Sequence, residues 1–133
     1  MPLVRIDLRR GKSAAYKKAI CDGVYRALRE TFGVPEEDRF MVVTEHAADD
    51  LIYSRNYLGI ARDDDLVLLQ LTVSNTRDVE QKRALYARIV ALLAENPGLR
   101  PQNVFINLLE VATENWSFGN GVAQYVVADS AGR

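Results

Sequence analysis

Pro2 is the residue of this sequence with the most chemistry open to it. A small residue after an initiator methionine ordinarily permits removal of Met1, which leaves Pro2 as a free secondary amine. Neutral, that amine is a nucleophile and a base; protonated, it donates a proton or polarises a carbonyl. A free α-amino group has a pKa of about 7.7–8.0 in peptides, and proline's secondary amine starts higher. A second reading needs no chemistry. Proline has no backbone N–H and is tolerated at a strand's first residue. Leu3-Val4-Arg5-Ile6-Asp7-Leu8 alternates well enough to be that strand. Position alone leaves both readings open.

The other reactive residue types divide quickly. Trp116-Ser117-Phe118-Gly119-Asn120-Gly121 is followed by Ala123-Gln124-Tyr125-Val126-Val127. Two glycines around an aromatic cluster predict a hairpin-like turn into a short strand. Such an arm packs its Trp on a core or a neighbouring subunit, or walls a small-molecule pocket, and one segment can do both. Cys21 is alone, so it forms no intrachain disulfide or cysteine metal cluster, and it reads as a small buried hydrophobe. His46, the one histidine, reads as a satisfied structural residue, because metal sites need partners of its kind. Asp63-Asp64-Asp65 lacks the spaced ligands of a calcium loop and reads as a solvated turn. No metal and no cofactor is called for: there is no phosphate-cradling glycine loop and no Ser–His–Asp arrangement. Taken by themselves, Asp38 is an acidic turn residue beside Arg39, and Arg77 is a surface arginine at a helix start.

The composition bounds the rest. A chain of 133 residues fits one domain with one core, so 1–133 is read as a single domain. Apolar residues make up 48% and charged residues 26%, the balance of a soluble globular protein. A net charge of −1 offers no strong attraction to nucleic acid or to an anionic membrane surface. The apolar runs are too short to span a bilayer, and Arg5, Asp7, Arg9 and Arg10 interrupt any signal-like stretch. A cytoplasmic protein is expected, with no nucleic-acid or membrane partner.

The elements that must position Pro2 follow from periodicity. After strand one, Ser13 is a natural N-cap. A helix over about Ser13 to Thr31 puts Ala15, Ala19, Ile20, Val24, Ala27 and Leu28 on one face. Gly33 and Pro35 stop it. Pro35-Glu36-Glu37-Asp38 is an acidic turn into a second strand, Arg39 to Glu45. Residues 47–65 are an irregular crossover with a possible short strand at Leu58-Gly59-Ile60. The third strand, Leu66 to Val73, is nearly all apolar and so buried on both faces. Asn75 or Thr76 can cap a second helix over about Arg77 to Glu95, with Val79, Leu85, Ile89, Leu92 and Leu93 inward. Asn96-Pro97-Gly98 stops it, and Pro101-Gln102-Asn103 leads into the fourth strand, Val104 to Val111.

The two halves, about 2–46 and 66–111, are a repeat of architecture roughly sixty-odd residues long. Helix-length connections imply parallel pairing within each half. The fold class expected is α/β (α+β): tandem βαβ units forming a four-stranded sheet with two helices on one face, plus a C-terminal aromatic arm over 112–133. The other sheet face, with Phe105 and Leu109 among its residues, then lacks cover and predicts an oligomer.

These features together resemble the tautomerase superfamily, and within it the malonate semialdehyde decarboxylase family. The stretches that carry the resemblance are Pro2-Leu3 with Gly11-Lys12-Ser13; Val34-Pro35-Glu36-Glu37-Asp38-Arg39-Phe40; Glu45-His46; Leu58-Gly59-Ile60-Ala61-Arg62; and Trp116 through Tyr125. The resemblance implies a cofactor-free enzyme with Pro2, Asp38 and Arg77 as catalytic residues. It further implies Asn75, Arg77, Trp116, Phe118 and Tyr125 around a small carboxylated carbonyl or unsaturated acid, in a homotrimer. The reaction would be decarboxylation, hydration or tautomerisation. The chain departs from the family at Asn75, where the pattern has the first of two arginines. Asn donates a hydrogen bond but brings no charge and no bidentate fork. One cationic anchor is left. That departure supports the alternative of a catalytically silent oligomeric scaffold of the same fold.

Overall fold

The computed structural model describes residues 1–126, and 127–133 lie outside it. Four strands, β1 (Leu3–Arg9), β2 (Phe40–His46), β3 (Val67–Ser74) and β4 (Val104–Val111), form one sheet in the order β2-β1-β3-β4. β1 pairs parallel with β2 and β3 parallel with β4, which bears out the two βαβ units. The units join through an antiparallel β1–β3 pair, with Leu3 opposite Thr72 and Leu8 opposite Val67. This contact brings the start of β1 beside the end of β3.

Helices α1 (Ala14–Phe32) and α2 (Val79–Glu95) cover one face of the sheet. Val4, Ile6 and Leu8 of β1 point into that face, as do Val67, Leu69, Leu71 and Val73 of β3. They meet Ile20, Val24, Ala27 and Leu28 from α1 and Leu85, Ile89 and Leu93 from α2. Each buried Val, Ile or Leu among them contributes about 1.5–3 kcal/mol by leaving water. Gly23 lets the helices approach closely: a Cβ there would stand 2.8 Å from Leu93 Cδ2. Ser13 caps α1 by accepting from Tyr16 N–H at 3.0 Å, and Gly33, at φ 65°, ends it in the left-handed conformation that glycine adopts without strain.

α2 begins later than its apolar spacing suggests. Asp78, not Asn75 or Thr76, is the N-cap: it accepts from Gln81 N–H at 2.8 Å, and the Gln81 side chain accepts from Asp78 N–H at 3.1 Å. This reciprocal box fixes the first turn and turns Val79 outward, 64% exposed, where an inward position was expected. Residues 75–77 become a non-helical link. Ala15 is likewise exposed and Ala19 half-buried rather than core.

The crossover holds 3-10 turns at Ala48–Asp50 and Tyr57–Gly59. No strand forms at 58–60, because Leu58 at φ 61° and Gly59 at φ 70° are left-handed, which a strand excludes. The aromatic arm also differs from expectation. Thr113–Asn115 is a 3-10 turn, 116–123 is irregular, and 124–126 are helical, so no strand forms up to Val126; Val127 lies outside the described residues. Opposite the helices the sheet is open, with Phe40 51%, Val42 42%, Phe105 47% and Leu109 44% exposed. No helix among the described residues is long and apolar enough to cross a membrane.

Candidate active site

The β1–β3 register decides what surrounds Pro2. Pro2 is buried at the head of β1, flanked by β2, whose Phe40 lies opposite Leu3, and by the end of β3. The turn before β2 brings in Asp38, whose own N–H donates to Pro35 O at 3.0 Å. The link after β3 brings in Arg77. The expected trio of Pro2, Asp38 and Arg77 therefore comes to one end of the sheet from three separate segments.

Asp38 is almost fully enclosed, and its Oδ2 lies 3.3 Å from the terminal amine on Met1. That oxygen is buried and has no aligned hydrogen-bond donor, so the contact is one of charge. Arg77 is half-buried. Its Nη2 donates to Phe32 O at 2.8 Å and its Nη1 to Thr76 Oγ1 at 3.0 Å, while the guanidinium lies 4.8 Å from the Phe32 ring centre. The carbonyl is one of those left unpaired at the end of α1, where a cation is favoured. Arg77 is thus fixed without being neutralised by a carboxylate of the described residues.

The electrostatics of the terminal amine follow from these neighbours. Burial lowers its pKa below the usual value and the Arg77 charge adds to that, against the opposing pull of Asp38. Tyr125 feels the same pair: burial first, then Asp38, raise its phenol pKa, and Arg77 lowers it.

The aromatic arm closes the other side. Trp116 Nε1–H donates to Ser74 Oγ at 3.1 Å. Its ring stacks on Phe118 at 5.5 Å, and Phe118 meets Tyr125 edge-on at 5.1 Å. Two recesses flank the Met1–Pro2 peptide, one beside Arg77 and Tyr125 and one beside Phe40 and Trp116; Asn75 is exposed, donates its N–H to Val111 O at 2.9 Å, extending the β3–β4 ladder, and lines neither. Ser74, Thr76, Thr113 and Phe40 do line them and were not among the expected site residues. Ser74 carried a faint signal, a polar residue closing an apolar strand; Thr113 carried none.

A further recess of about 330 Å³ lies under the crossover, between Tyr53, Tyr57, Leu68 and Phe105. Its one charged side chain, Arg62, is spent on the carbonyls of Ser54, Tyr57 and Ile60 at 3.2–3.3 Å, and it holds no acid–base pair. His46 is a structural residue, as expected, with Nε2 2.6 Å from Asp7 Oδ1.

Residues 38–119 match a family described as tautomerase enzyme, and residues 2–60 match a second family model of the same description. The chain belongs to the tautomerase family. It is 36% identical to the probable tautomerase YusQ of Bacillus subtilis (strain 168), over 95% of this chain and 99% of that one. It is 32% identical to the probable tautomerase YrdN of the same organism, over 95% and 97%. Among solved structures, a malonate semialdehyde decarboxylase inhibited by 3-bromopropiolate superposes with a TM-score of 0.90 at 37% identity, covering 96% of each chain. A fused 4-OT symmetric trimer shares the fold, with a TM-score of 0.77 at 22% identity over 98% and 99%.

Proposed function

We propose that this tautomerase-family enzyme works through the amine of Pro2, freed by loss of Met1, on a small carboxylated carbonyl or unsaturated acid. One observation carries the reading: the half-buried amine of Met1 lies 3.3 Å from an Asp38 oxygen that has no other partner among the described residues, with Arg77 close enough to act on its charge, and loss of Met1 would set the Pro2 amine beside the same pair. Burial lowers the pKa of the Met1 amine here, outweighing the opposing pull of Asp38, and the same enclosure would favour the neutral Pro2 amine, the form a base requires. That amine takes the proton of an enol hydroxyl, whose O–H electrons form the carbonyl, while the C=C electrons move to the neighbouring carbon and take up the proton that the cationic amine returns. Arg77 holds the carboxylate, and Asp38 stabilises the transient cation.

The likeness to malonate semialdehyde decarboxylase supports a second reading, in which the cationic amine polarises a carbonyl and carbon dioxide leaves. The two differ in pH dependence. Base-driven tautomerisation rises with pH through the amine's pKa, and decarboxylation by the cation falls.

The test begins with the mass of the mature chain, expected to lack Met1. Ketonisation of the enol of a 2-oxo acid, followed by loss of its ultraviolet absorbance, should drop about 10²–10⁴-fold in Pro2→Ala, with the circular-dichroism melt unchanged. Full turnover by Pro2→Ala, or by a chain that keeps Met1, would sink the proposal. The open sheet face supports an oligomer, and a homotrimer is the assembly of the fused 4-OT neighbour. Light scattering should then give three times the 14.9 kDa chain mass.

A further inference from the structure

The start of this chain is not a fraying end. A terminus is loosely held unless it is tied into a sheet, and here it opens a central strand. β1 lies between β2 and β3, and its first residue, Leu3, pairs with Phe40 on one side and with Thr72 on the other. Pro2 is buried, and Val4 just beyond it has no exposed surface. Met1 is held as well: 18% of its side chain is exposed, its amine lies 3.3 Å from Asp38 Oδ2, and it lines the recess of Arg77 and Tyr125. The aromatic arm covers the other side, where Trp116, Ser117 and Phe118 line the recess of Pro2. Gln124 clasps that arm, its side chain accepting from Phe118 N–H and donating to Gly119 O, both at 2.9 Å.

We propose that the fold locks its own Met1–Pro2 bond: an aminopeptidase removes Met1 before β3 docks on β1, and a chain that folds first keeps it. The consequence, an enzyme that stays idle, rests on the catalytic reading above.

The step is hydrolysis. The hydroxyl of water adds to the Met1 carbonyl carbon, the C–N bond breaks, and the Pro2 nitrogen takes the proton. What the fold controls is access. An exopeptidase takes the leading residues of its substrate as an extended chain in its own cleft. Residues 3–9 here already pair with two neighbouring strands. Drawing them clear takes Val4 and Ile6 out of the core. Exposing two such side chains makes the open form rarer by about 10²–10⁴-fold.

Chain order sets the window. β2 ends at His46 and closes one edge of β1; β3 ends at Ser74 and closes the other. At about 5–20 residues per second, synthesis through Ser74 takes about 4–15 s. Excision has that interval, while β1 still has a free edge. The β1–β3 pair is also what joins the two halves, so the lock closes as the halves assemble. In a locked chain the Met1 amine holds Asp38, and the Pro2 nitrogen is an amide whose lone pair is spent in resonance.

A chain made under an inhibitor of methionine aminopeptidase keeps Met1 and serves as the probe. It is incubated folded with that aminopeptidase, beside a synthetic peptide of residues 1–12, and loss of Met1 is followed by mass spectrometry. We expect the peptide to be trimmed at least about 100-fold faster than the folded chain. Urea below the unfolding midpoint should raise trimming of the folded chain in step with its unfolded fraction, once the peptide's rate in the same buffer is divided out. A smaller difference, or a corrected rate indifferent to urea, overturns the lock. The two readings fail separately. If trimmed and Met1-bearing chains turn over alike, the catalytic reading falls and the lock stands. If the folded chain is trimmed readily and gains turnover as Met1 leaves, the lock falls and the catalytic reading stands.

Discussion

At one end of the central β1–β3 pair, Leu3 lies opposite Thr72, and Pro2, Asp38 and Arg77 gather there; at the other, Leu8 lies opposite Val67, and Arg9, Lys12 and Asp63-Asp64-Asp65 gather. The ends are built alike, each from the start of one half's first strand and the finish of the other's. Their charges are handled in opposite ways. Asp64 takes Arg9 at 3.1 Å, Arg55 at 2.7 Å and the Tyr53 hydroxyl at 2.6 Å. Asp65 takes Lys12 at 2.7 Å, and Asp63 takes Arg100 and the Asn103 amide. The expected solvated turn is therefore a clasp that ties the crossover to β1 and to the segment before β4. Arg9 Nε is the one atom there left buried without a partner. At the Pro2 end, among the described residues, Asp38 Oδ2 has only the terminal amine of Met1, and Arg77 rests on neutral oxygens. Charge without a matching partner weakens a fold, and where it is kept in a recess it marks a site.

Removing Arg77 tests the contrast hardest. Arg77→Ala deletes the guanidinium beside Pro2, and kcat/KM should fall about 10²–10³-fold, as for loss of a preorganised donor. The freed Phe32 carbonyl costs stability as well, about 0.5–1.5 kcal/mol for one hydrogen bond. A thermal melt run beside the kinetics keeps the two effects apart. If kcat/KM holds while the melt drops, Arg77 is as structural as Arg55 is at the far end, and the contrast fails.

Asp38→Asn should act less on rate than on its pH dependence. The carboxylate favours the charged form of the Met1 amine, and a Pro2 amine freed beside it should respond alike, its pKa falling when the carboxylate is lost. The neutral form then persists to lower pH, and the rising limb of kcat/KM moves toward acid. Under the decarboxylase reading the falling limb moves the same way. A limb that stays put means that Asp38 does not face the catalytic amine.

Much of this arrangement was legible in the residues, and the gaps have a physical pattern. Strand and helix positions came from side-chain periodicity, which local sequence carries. The parallel pairing within each half followed from helix-length connections. The antiparallel join of the halves was not stated by any local feature, since it depends on which strand edges meet, and with it went Ser74 and Thr113. The family pattern pointed to Asp38 and Arg77, where acidity in a turn and a cation at a helix start are commonplace. The arm misled because its shape is set by distant contacts. The Trp116–Ser74 bond and the Gln124 clasp override the alternation that suggested a strand.

The far end should respond in stability and leave catalysis alone. Hydrogen bonds hold the Asp63 and Asp64 carboxyls below the usual range, from Asp65 N–H first for Asp63 and from the Tyr53 hydroxyl first for Asp64. A carboxyl depressed in the folded state stabilises it fully above the unfolded value of about 3.9, and loses that contribution as pH falls through the lower folded value. The double variant Asp63→Asn, Asp64→Asn should therefore melt at a lower temperature than the parent near neutral pH. The gap should close as both are acidified below about pH 4. Its kcat/KM should match the parent's, because neither carboxylate lines the recesses beside Pro2. A rate loss in this variant, with its melt unchanged, would place catalytic work at the end of the sheet where every carboxylate already has a partner.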